Sequence, residues 1–103
     1  MKQKRRIAIT GLGLVTPVGN DTRTTWANLC AGKSGAGTIQ YFDASGFPVR
    51  IGAEVKGFEL PVAIARAKHT KFAARPQRFA LAAAEEALND AGIRPQPDNA
   101  HRW

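Results

Sequence analysis

The sequence predicts an α/β fold, because short apolar runs typical of strands alternate with segments of helical periodicity. Residues 7–10 are apolar and mostly β-branched and are followed by a glycine, which predicts a buried strand. In residues 49–55, apolar positions alternate with Arg50, Gly52 and Glu54, which predicts a second strand with one buried face. The order strand, helix, strand, helix favours the α/β class.

The first helix is predicted to follow Asn20 and Asp21, either of which can cap a helix N-terminus. Its apolar side chains recur at intervals of three and four residues and are expected to face the core. They are Trp26, Leu29 and Cys30. Gly32 stands where a glycine commonly ends a helix, and residues 33–37 are expected to form a flexible connector.

The second helix is predicted over Gln77–Ala91, with Pro76 suited to its first turn and Gly92 to its end. One side is mostly alanine, which lets the helix approach a neighbour closely. That side comprises Phe79, Ala80, Ala83, Ala84, Ala87, Leu88 and Ala91. The opposite side is expected to face solvent and comprises Glu85, Glu86, Asn89 and Asp90.

Positive charge is concentrated in two places in this chain of 103 residues, whose formal net charge is +7. One is the N-terminus, from Lys2 to Arg6. The other is the stretch 62–78, which has no acid and contains five cations: Arg66, Lys68, Lys71, Arg75 and Arg78. Such a surface is typical of contact with nucleic acid, anionic lipid or an acidic protein, and equally of a plain solvated surface.

No targeting or membrane segment is predicted. Basic residues 2–6 precede an apolar run over residues 7–18, but Gly11, Gly13 and Pro17 interrupt it and no small-residue cleavage site follows. No run approaches the ~20 apolar residues of a membrane span. The single cysteine excludes an internal disulfide, and the chain is expected to be cytoplasmic.

Two glycine motifs are interpreted as turns, and no cofactor is predicted. Gly11-x-Gly13-x-x-Thr16 has a threonine where a dinucleotide fingerprint has its third glycine, and the helix begins too late to hold a pyrophosphate. Gly32-Lys33-Ser34 follows a helix instead of preceding one, and the partial negative charge of a helix C-terminus repels phosphate.

No catalytic or metal-binding residue is predicted. A reactive thiol is usually activated by a helix N-terminus or a nearby cation. Cys30 instead lies near the C-terminal end of the first predicted helix and is expected to be a core residue. His69 and His101 have no ligand-like partners, and Glu85 and Glu86 point about 100° apart on the second helix.

Five segments form an ordered set that covers nearly the whole chain. They are Arg5–Asn20, Thr25–Gly35, Phe42-Asp43, Phe47–Val55 and Ala80–Gly92. This set resembles the opening of the β-ketoacyl-acyl-carrier-protein synthase family, and in particular its chain-elongating 3-oxoacyl-carrier-protein synthase II type. Related polyketide ketosynthases are similar.

The resemblance implies a thiolase-like α/β fold of two similar halves stacked as α-β-α-β-α, usually homodimeric and without an organic cofactor. It also implies decarboxylative Claisen condensation of an acyl-enzyme with malonyl-acyl-carrier protein, in fatty-acid or polyketide elongation. In relatives a basic segment before the alanine-rich helix meets the acidic carrier protein, which implies a carrier-protein contact at Arg66, Lys68 and Lys71. Ala67 and Thr70 depart from the pattern, since relatives often have cations there.

The resemblance further implies that residues 1–103 are the N-terminal segment of the synthase N-terminal domain, with the catalytic cysteine and histidines downstream. Cys30 matches a helix-core leucine of relatives, so the chain alone is expected to be inactive. Its end at Trp103, where relatives begin another strand, would leave an incomplete sheet and poor solubility. The alternative is a stand-alone basic module for an acidic protein or, less favoured, for nucleic acid.

Overall fold

The computed structural model describes residues 4–98, so Lys2, His101 and Trp103 lie outside the described residues. Within that range helices and a two-stranded sheet follow one another. Their bounds are α1 Thr22–Cys30, β1 Ala36–Thr38, β2 Ile51–Ala53, α2 Val62–Ala65, a 3-10 helix Lys68–Phe72 and α3 Arg75–Ala91.

The predicted second helix is confirmed as α3, which begins two residues earlier than expected, at Arg75. Gln77 stabilises this start, because its side-chain oxygen accepts the backbone N–H of Ala74 at 2.8 Å. Gly92 ends the helix with a φ of +66°, a left-handed conformation that a residue without Cβ adopts at little cost.

Residues 11–14, called here the glycine segment, run along α3 with two glycines at the contact. A Cβ on Gly11 would lie 2.8 Å from the Cβ of Ala91 and closer still to the carbonyl oxygen of Ala87. A Cβ on Gly13 would lie 2.7 Å from the carbonyl carbon of Ala83. Two backbones can approach this closely only where side chains are absent or small. The alanine side of α3 is therefore a close-packing surface at Ala83, Ala87 and Ala91, as predicted, whereas Ala80 and Ala84 of the same predicted side are exposed.

Two acids of α3 bind the same segment. The backbone N–H of Leu12 donates to Oδ2 of Asp90 and that of Leu14 to Oε2 of Glu86, both at 2.9 Å. Oε1 of Glu86 accepts the N–H of Thr22 at 2.8 Å, so one carboxylate joins α3, the glycine segment and the start of α1. The prediction of a solvated acidic side is wrong for Glu86, which is half-buried because the backbone N–H groups beside it require an acceptor, whereas Asp90 is exposed as predicted.

Asp21 caps α1, as predicted. Its Oδ1 accepts the N–H of Thr24 at 2.7 Å, and this hydrogen bond holds the pKa of Asp21 below its ordinary value. Thr25 is only 2% exposed, and its hydroxyl lies 3.2 Å from the carbonyl oxygen of Gly19. Gly32 follows the helix with a φ of +67°, which confirms its predicted place at the end of α1.

The sheet is a small antiparallel pair with Ala36 opposite Ala53. β1 begins inside the predicted flexible connector, and β2 covers only the middle of the predicted strand 49–55. The predicted buried face of β2 is exposed, since Val49 and Ile51 are each 66% exposed. A two-stranded sheet has little to cover its faces unless another layer packs on it.

Two further predictions of buried structure are wrong for the described residues. Residues 7–10 form no strand, and Ile7 is 92% exposed, because no described backbone lies alongside to pair with them. Trp26 is 67% exposed, Leu29 is 55% exposed and Cys30 is exposed, so none of the three faces a core. The radius of gyration of 17.7 Å agrees with this open arrangement, since a compact domain of this length has about 13 Å.

Candidate functional site

The basic segment, defined as residues 66–78, contains the 3-10 helix and the first turn of α3. Thr70 fixes the 3-10 helix to the end of α2. Its side chain is only 5% exposed, and its hydroxyl lies 2.7 Å from the carbonyl oxygen of Ala67 and 3.2 Å from that of Ala65. Neither α2 nor the 3-10 helix is predicted from the sequence, because each is too short for a periodic apolar pattern.

The 3-10 helix sorts its side chains onto three faces, because residues three apart lie above one another in this geometry. The inner face is buried or half-buried and consists of Ala67, Thr70 and Ala73. The cationic face is exposed and consists of Lys68 and Lys71. The third face is also exposed and consists of His69 and Phe72.

The three cations predicted to contact a carrier protein are all exposed in the structure. Arg66 directly follows α2, and Lys68 and Lys71 follow on the cationic face. Among the described residues, none of the three side chains takes part in a hydrogen bond or an ion pair. Their charges are therefore available to a partner and are not neutralised by the described chain.

The other two cations of the basic segment are engaged within the chain. The guanidinium of Arg75 lies 3.9 Å from the ring centre of Tyr41 and 5.2 Å from that of Phe79, and Nη2 donates to the carbonyl oxygen of Val55 at 2.6 Å. Nε of Arg78 donates to the carbonyl oxygen of Ala73 at 3.0 Å. Only the structure separates these two anchoring arginines from the three free cations.

An open groove of about 470 Å³ lies between the 3-10 helix and α3. Its lining is mostly apolar and consists of His69, Phe72, Ala73, Gln77, Ala80 and Leu81. Phe72 is 91% exposed, and Leu81 is 39% exposed. Because His69 and Phe72 share one face of the 3-10 helix, the groove lies beside the cationic face.

Among residues 4–98, the remaining reactive side chains lie in separate surroundings. Cys30 ends α1, where the helix offers carbonyl groups and not N–H groups. Glu85 pairs with Arg94 at 3.5 Å, and Glu86 is occupied by backbone N–H groups. Across residues 4–98, no three His, Cys, Asp or Glu side chains lie close enough to hold a metal ion.

Neither glycine motif forms a nucleotide site. Gly11 and Gly13 face the backbone of α3, which occupies the space that a pyrophosphate would need. Gly32 ends α1, so no helix N-terminus points towards Lys33 and Ser34. None of the described helices is both long and apolar enough to cross a membrane.

Comparison with known proteins identifies the family of this chain. The family model described as "Beta-ketoacyl synthase, N-terminal domain" matches residues 4–102. The 3-oxoacyl-[acyl-carrier-protein] synthase 2 of Coxiella burnetii is 42% identical over 100 residues, which are 97% of this chain and 24% of that protein. The tetracenomycin polyketide synthase ketoacyl synthase beta subunit of Streptomyces glaucescens is 44% identical over 95 residues, which are 87% of this chain and 22% of that protein.

A solved structure agrees with these sequence matches. The ishigamide ketosynthase/chain length factor superposes with a TM-score of 0.72 at 32% identity, over 89% of this chain and 23% of that one. The chain is therefore part of a condensing-enzyme fold of the thiolase-like α/β class, as predicted. It belongs to the β-ketoacyl synthase family and spans about a quarter of the length of the relatives that it matches.

Proposed function

We propose that this chain is the N-terminal segment of a β-ketoacyl synthase that elongates fatty-acid or polyketide chains by decarboxylative Claisen condensation. In that reaction malonyl-carrier protein loses CO₂, and the resulting carbanion attacks the carbonyl carbon of an acyl-cysteine. A carbon–carbon bond forms, the acyl–sulfur bond breaks and the thiolate leaves. The observation that supports this proposal is the family match over residues 4–102.

The catalytic cysteine and histidines are proposed to lie outside the 103 residues. Cys30 is the single cysteine, and it lies at the end of α1, where no N–H groups point at the sulfur to favour a thiolate. Among the described residues, no basic side chain is hydrogen-bonded to its sulfur. The chain alone should therefore accept no acyl group.

An acyl-transfer assay with radiolabelled acyl-carrier protein tests this proposal. The expected result is no label on the chain, and a Cys30→Ser variant that behaves in the same way. Label that appears on the chain and disappears with Cys30→Ser would show that this thiol is the acyl acceptor, against the proposal.

The proposed task of the basic segment is to bind the acidic carrier protein through Arg66, Lys68 and Lys71. Support comes from their exposure, from the lack of internal partners and from the absence of acids over residues 62–78. Exposed charges interact over about 8–10 Å at ordinary salt. Three free cations on adjacent turns should therefore attract an acidic partner and lose part of that attraction as salt rises.

Titration calorimetry of the chain with holo-acyl-carrier protein measures this contact. The Lys68→Ala/Lys71→Ala variant should bind roughly tenfold more weakly, which corresponds to about 1.4 kcal/mol, and should show a shallower salt dependence. Lys33→Ala is the matched control, because this exposed cation lies outside the basic segment and carries the same charge. An equal loss per charge in Lys33→Ala would mean that net charge alone governs binding, and would contradict a defined contact.

A further inference from the structure

We infer that Arg75 is a latch that fastens the hairpin segment, defined as residues 36–56, to the start of α3. Releasing this latch should let the hairpin segment open while the helices stay folded. The latch uses none of the three free cations Arg66, Lys68 and Lys71, so it does not depend on the proposed carrier-protein contact.

Arg75 contacts the hairpin segment through both stacking and hydrogen bonds. Its guanidinium lies 3.9 Å from the ring centre of Tyr41, and Nη2 donates to the Tyr41 hydroxyl and, at 2.6 Å, to the carbonyl oxygen of Val55. On the helix side the guanidinium lies 5.2 Å from the ring centre of Phe79, one turn further along α3. Because a guanidinium is planar, it can stack on a ring and donate from its edge at the same time. A single side chain therefore holds both a ring and the backbone of the hairpin segment.

The position of Arg75 in α3 favours these contacts. It is the first residue of the helix, where a cation meets the partial positive charge of the helix N-terminus. The stretch 62–78 contains no acid that could offset this repulsion. The ring face of Tyr41 and the carbonyl oxygen of Val55 instead supply negative charge density. The guanidinium is therefore attracted away from the helix and onto the hairpin segment.

Arg75 binds the hairpin segment where the residues that follow its two strands meet. The hydroxyl of Tyr41, which follows β1, donates to the carbonyl oxygen of Val55, which follows β2, at 2.9 Å. The carboxylate of Glu54 accepts the backbone N–H groups of Gln40 and Tyr41 at 3.0 Å and 3.1 Å. Because these bonds join the two strand ends, a hold on Tyr41 and Val55 acts on the hairpin segment as a whole.

The helices are held together by contacts that do not involve the hairpin segment. Glu86 joins α3 to the glycine segment and to the start of α1. The hairpin segment is tied to the helices by Arg75 and by Asn20, whose Nδ2 donates to the carbonyl oxygen of Lys56 at 2.9 Å. Parts of a protein that share few contacts can open separately. Loss of the Arg75 contacts should therefore favour opening of the hairpin segment without unfolding α3.

Hydrogen exchange of the 103-residue chain, followed by mass spectrometry, tests the latch. In Arg75→Met the amides of residues 36–41 and 51–55 should exchange roughly fivefold faster, because the contacts of one guanidinium are lost, whereas the amides of α3 should not exchange faster. Arg78→Met is the matched control. It removes the same charge from the same helix, but the hydrogen bond that it breaks lies within the basic segment, so the hairpin segment should exchange as in the parent chain.

A second variant tests whether Arg75 and Tyr41 act together. Tyr41→Phe keeps the ring but removes the hydroxyl that binds Arg75, so it should accelerate exchange by a smaller factor. In the double variant the acceleration should be less than the product of the two single factors, since both substitutions remove parts of one contact. Factors that multiply would overturn the latch. Unchanged exchange in Arg75→Met, an equal acceleration in Arg78→Met, or an acceleration that α3 shares would also overturn it.

Discussion

The two ends of α3 meet their surroundings in opposite ways. Along the C-terminal half, Gly11 and Gly13 lie against the helix backbone, and Glu86 and Asp90 bind three backbone N–H groups. Before the N-terminus, the 3-10 helix presents the exposed Phe72 and two exposed lysines, whose side chains have no hydrogen-bond or ion-pair partner among the described residues. Saturated contacts indicate a structural role, whereas exposed and unpaired cations are what the proposed carrier-protein contact requires.

The comparison predicts that the largest loss of stability comes from a methyl group at Gly13. In Gly13→Ala the new Cβ would lie 2.7 Å from the carbonyl carbon of Ala83, and closer to its oxygen, so the segment must move away from α3. We expect the free energy of unfolding to fall by about 3 kcal/mol, the upper end of the usual cost of overpacking. Urea denaturation followed by circular dichroism measures it.

Gly37→Ala is the control for that substitution. Gly37 has no positive φ, and its Cβ would meet no atom within 4 Å, so a loss below about 1 kcal/mol is expected. Equal losses in the two variants would mean that the close approach of the glycine segment to α3 does not stabilise the fold.

The next largest effect is expected at Glu86. In Glu86→Ala the N–H groups of Leu14 and Thr22 lose their acceptor, which should cost about 2 kcal/mol in the free energy of unfolding. Glu85→Ala is the matched control on the adjacent residue. It removes the ion pair with Arg94 and a 3.3 Å hydrogen bond from Nδ2 of Asn89, both between side chains and together worth about 1 kcal/mol or less. The same denaturation experiment measures both, and a cost no greater for Glu86 than for Glu85 would contradict the joining role.

A smaller effect is expected from the cap of α1. Asp21→Ala should cost about 1 kcal/mol, because the N–H of Thr24 loses its acceptor. Hydrogen bonding to Thr24 lowers the pKa of Asp21 below 3.8. The ionised carboxylate therefore adds to the free energy of unfolding above that pH, and this addition is lost as the pH falls through the lowered pKa. Asp21→Asn keeps a capping oxygen without the titration. The parent chain should therefore lose this increment on acidification while Asp21→Asn does not, as thermal melts between pH 2 and pH 5 would measure.

The smallest effect on stability is expected where the effect on binding is largest. Lys68→Ala/Lys71→Ala should change the free energy of unfolding by less than about 0.5 kcal/mol, because both side chains are exposed and unpaired. If this variant lost as much stability as Glu86→Ala, the lysines would also have a structural role. The proposed difference between the two ends of α3 would then be wrong.

The limits of prediction from this sequence are physical. The cap at Asp21, the glycine ends of α1 and α3 and the bounds of α3 to within two residues follow from local rules, since each depends on neighbours within one or two turns. The roles of Glu86 and Asp90 depend on partners 64 to 78 residues away, which no local pattern reveals. A helical wheel places these acids opposite the alanines but cannot show that another segment covers them.

For the candidate site too, some features follow from the sequence and others only from the tertiary structure. The sequence by itself determined that residues 62–78 are basic and free of acids, and the resemblance selected Arg66, Lys68 and Lys71. Only the tertiary structure decided that Arg75 and Arg78 are engaged, that Thr70 points inwards, and that Phe72 lies beside the free cations. The reason is that charge is a property of composition, whereas exposure depends on how the 3-10 helix is rotated against its neighbours. A single buried hydroxyl helps to fix that rotation.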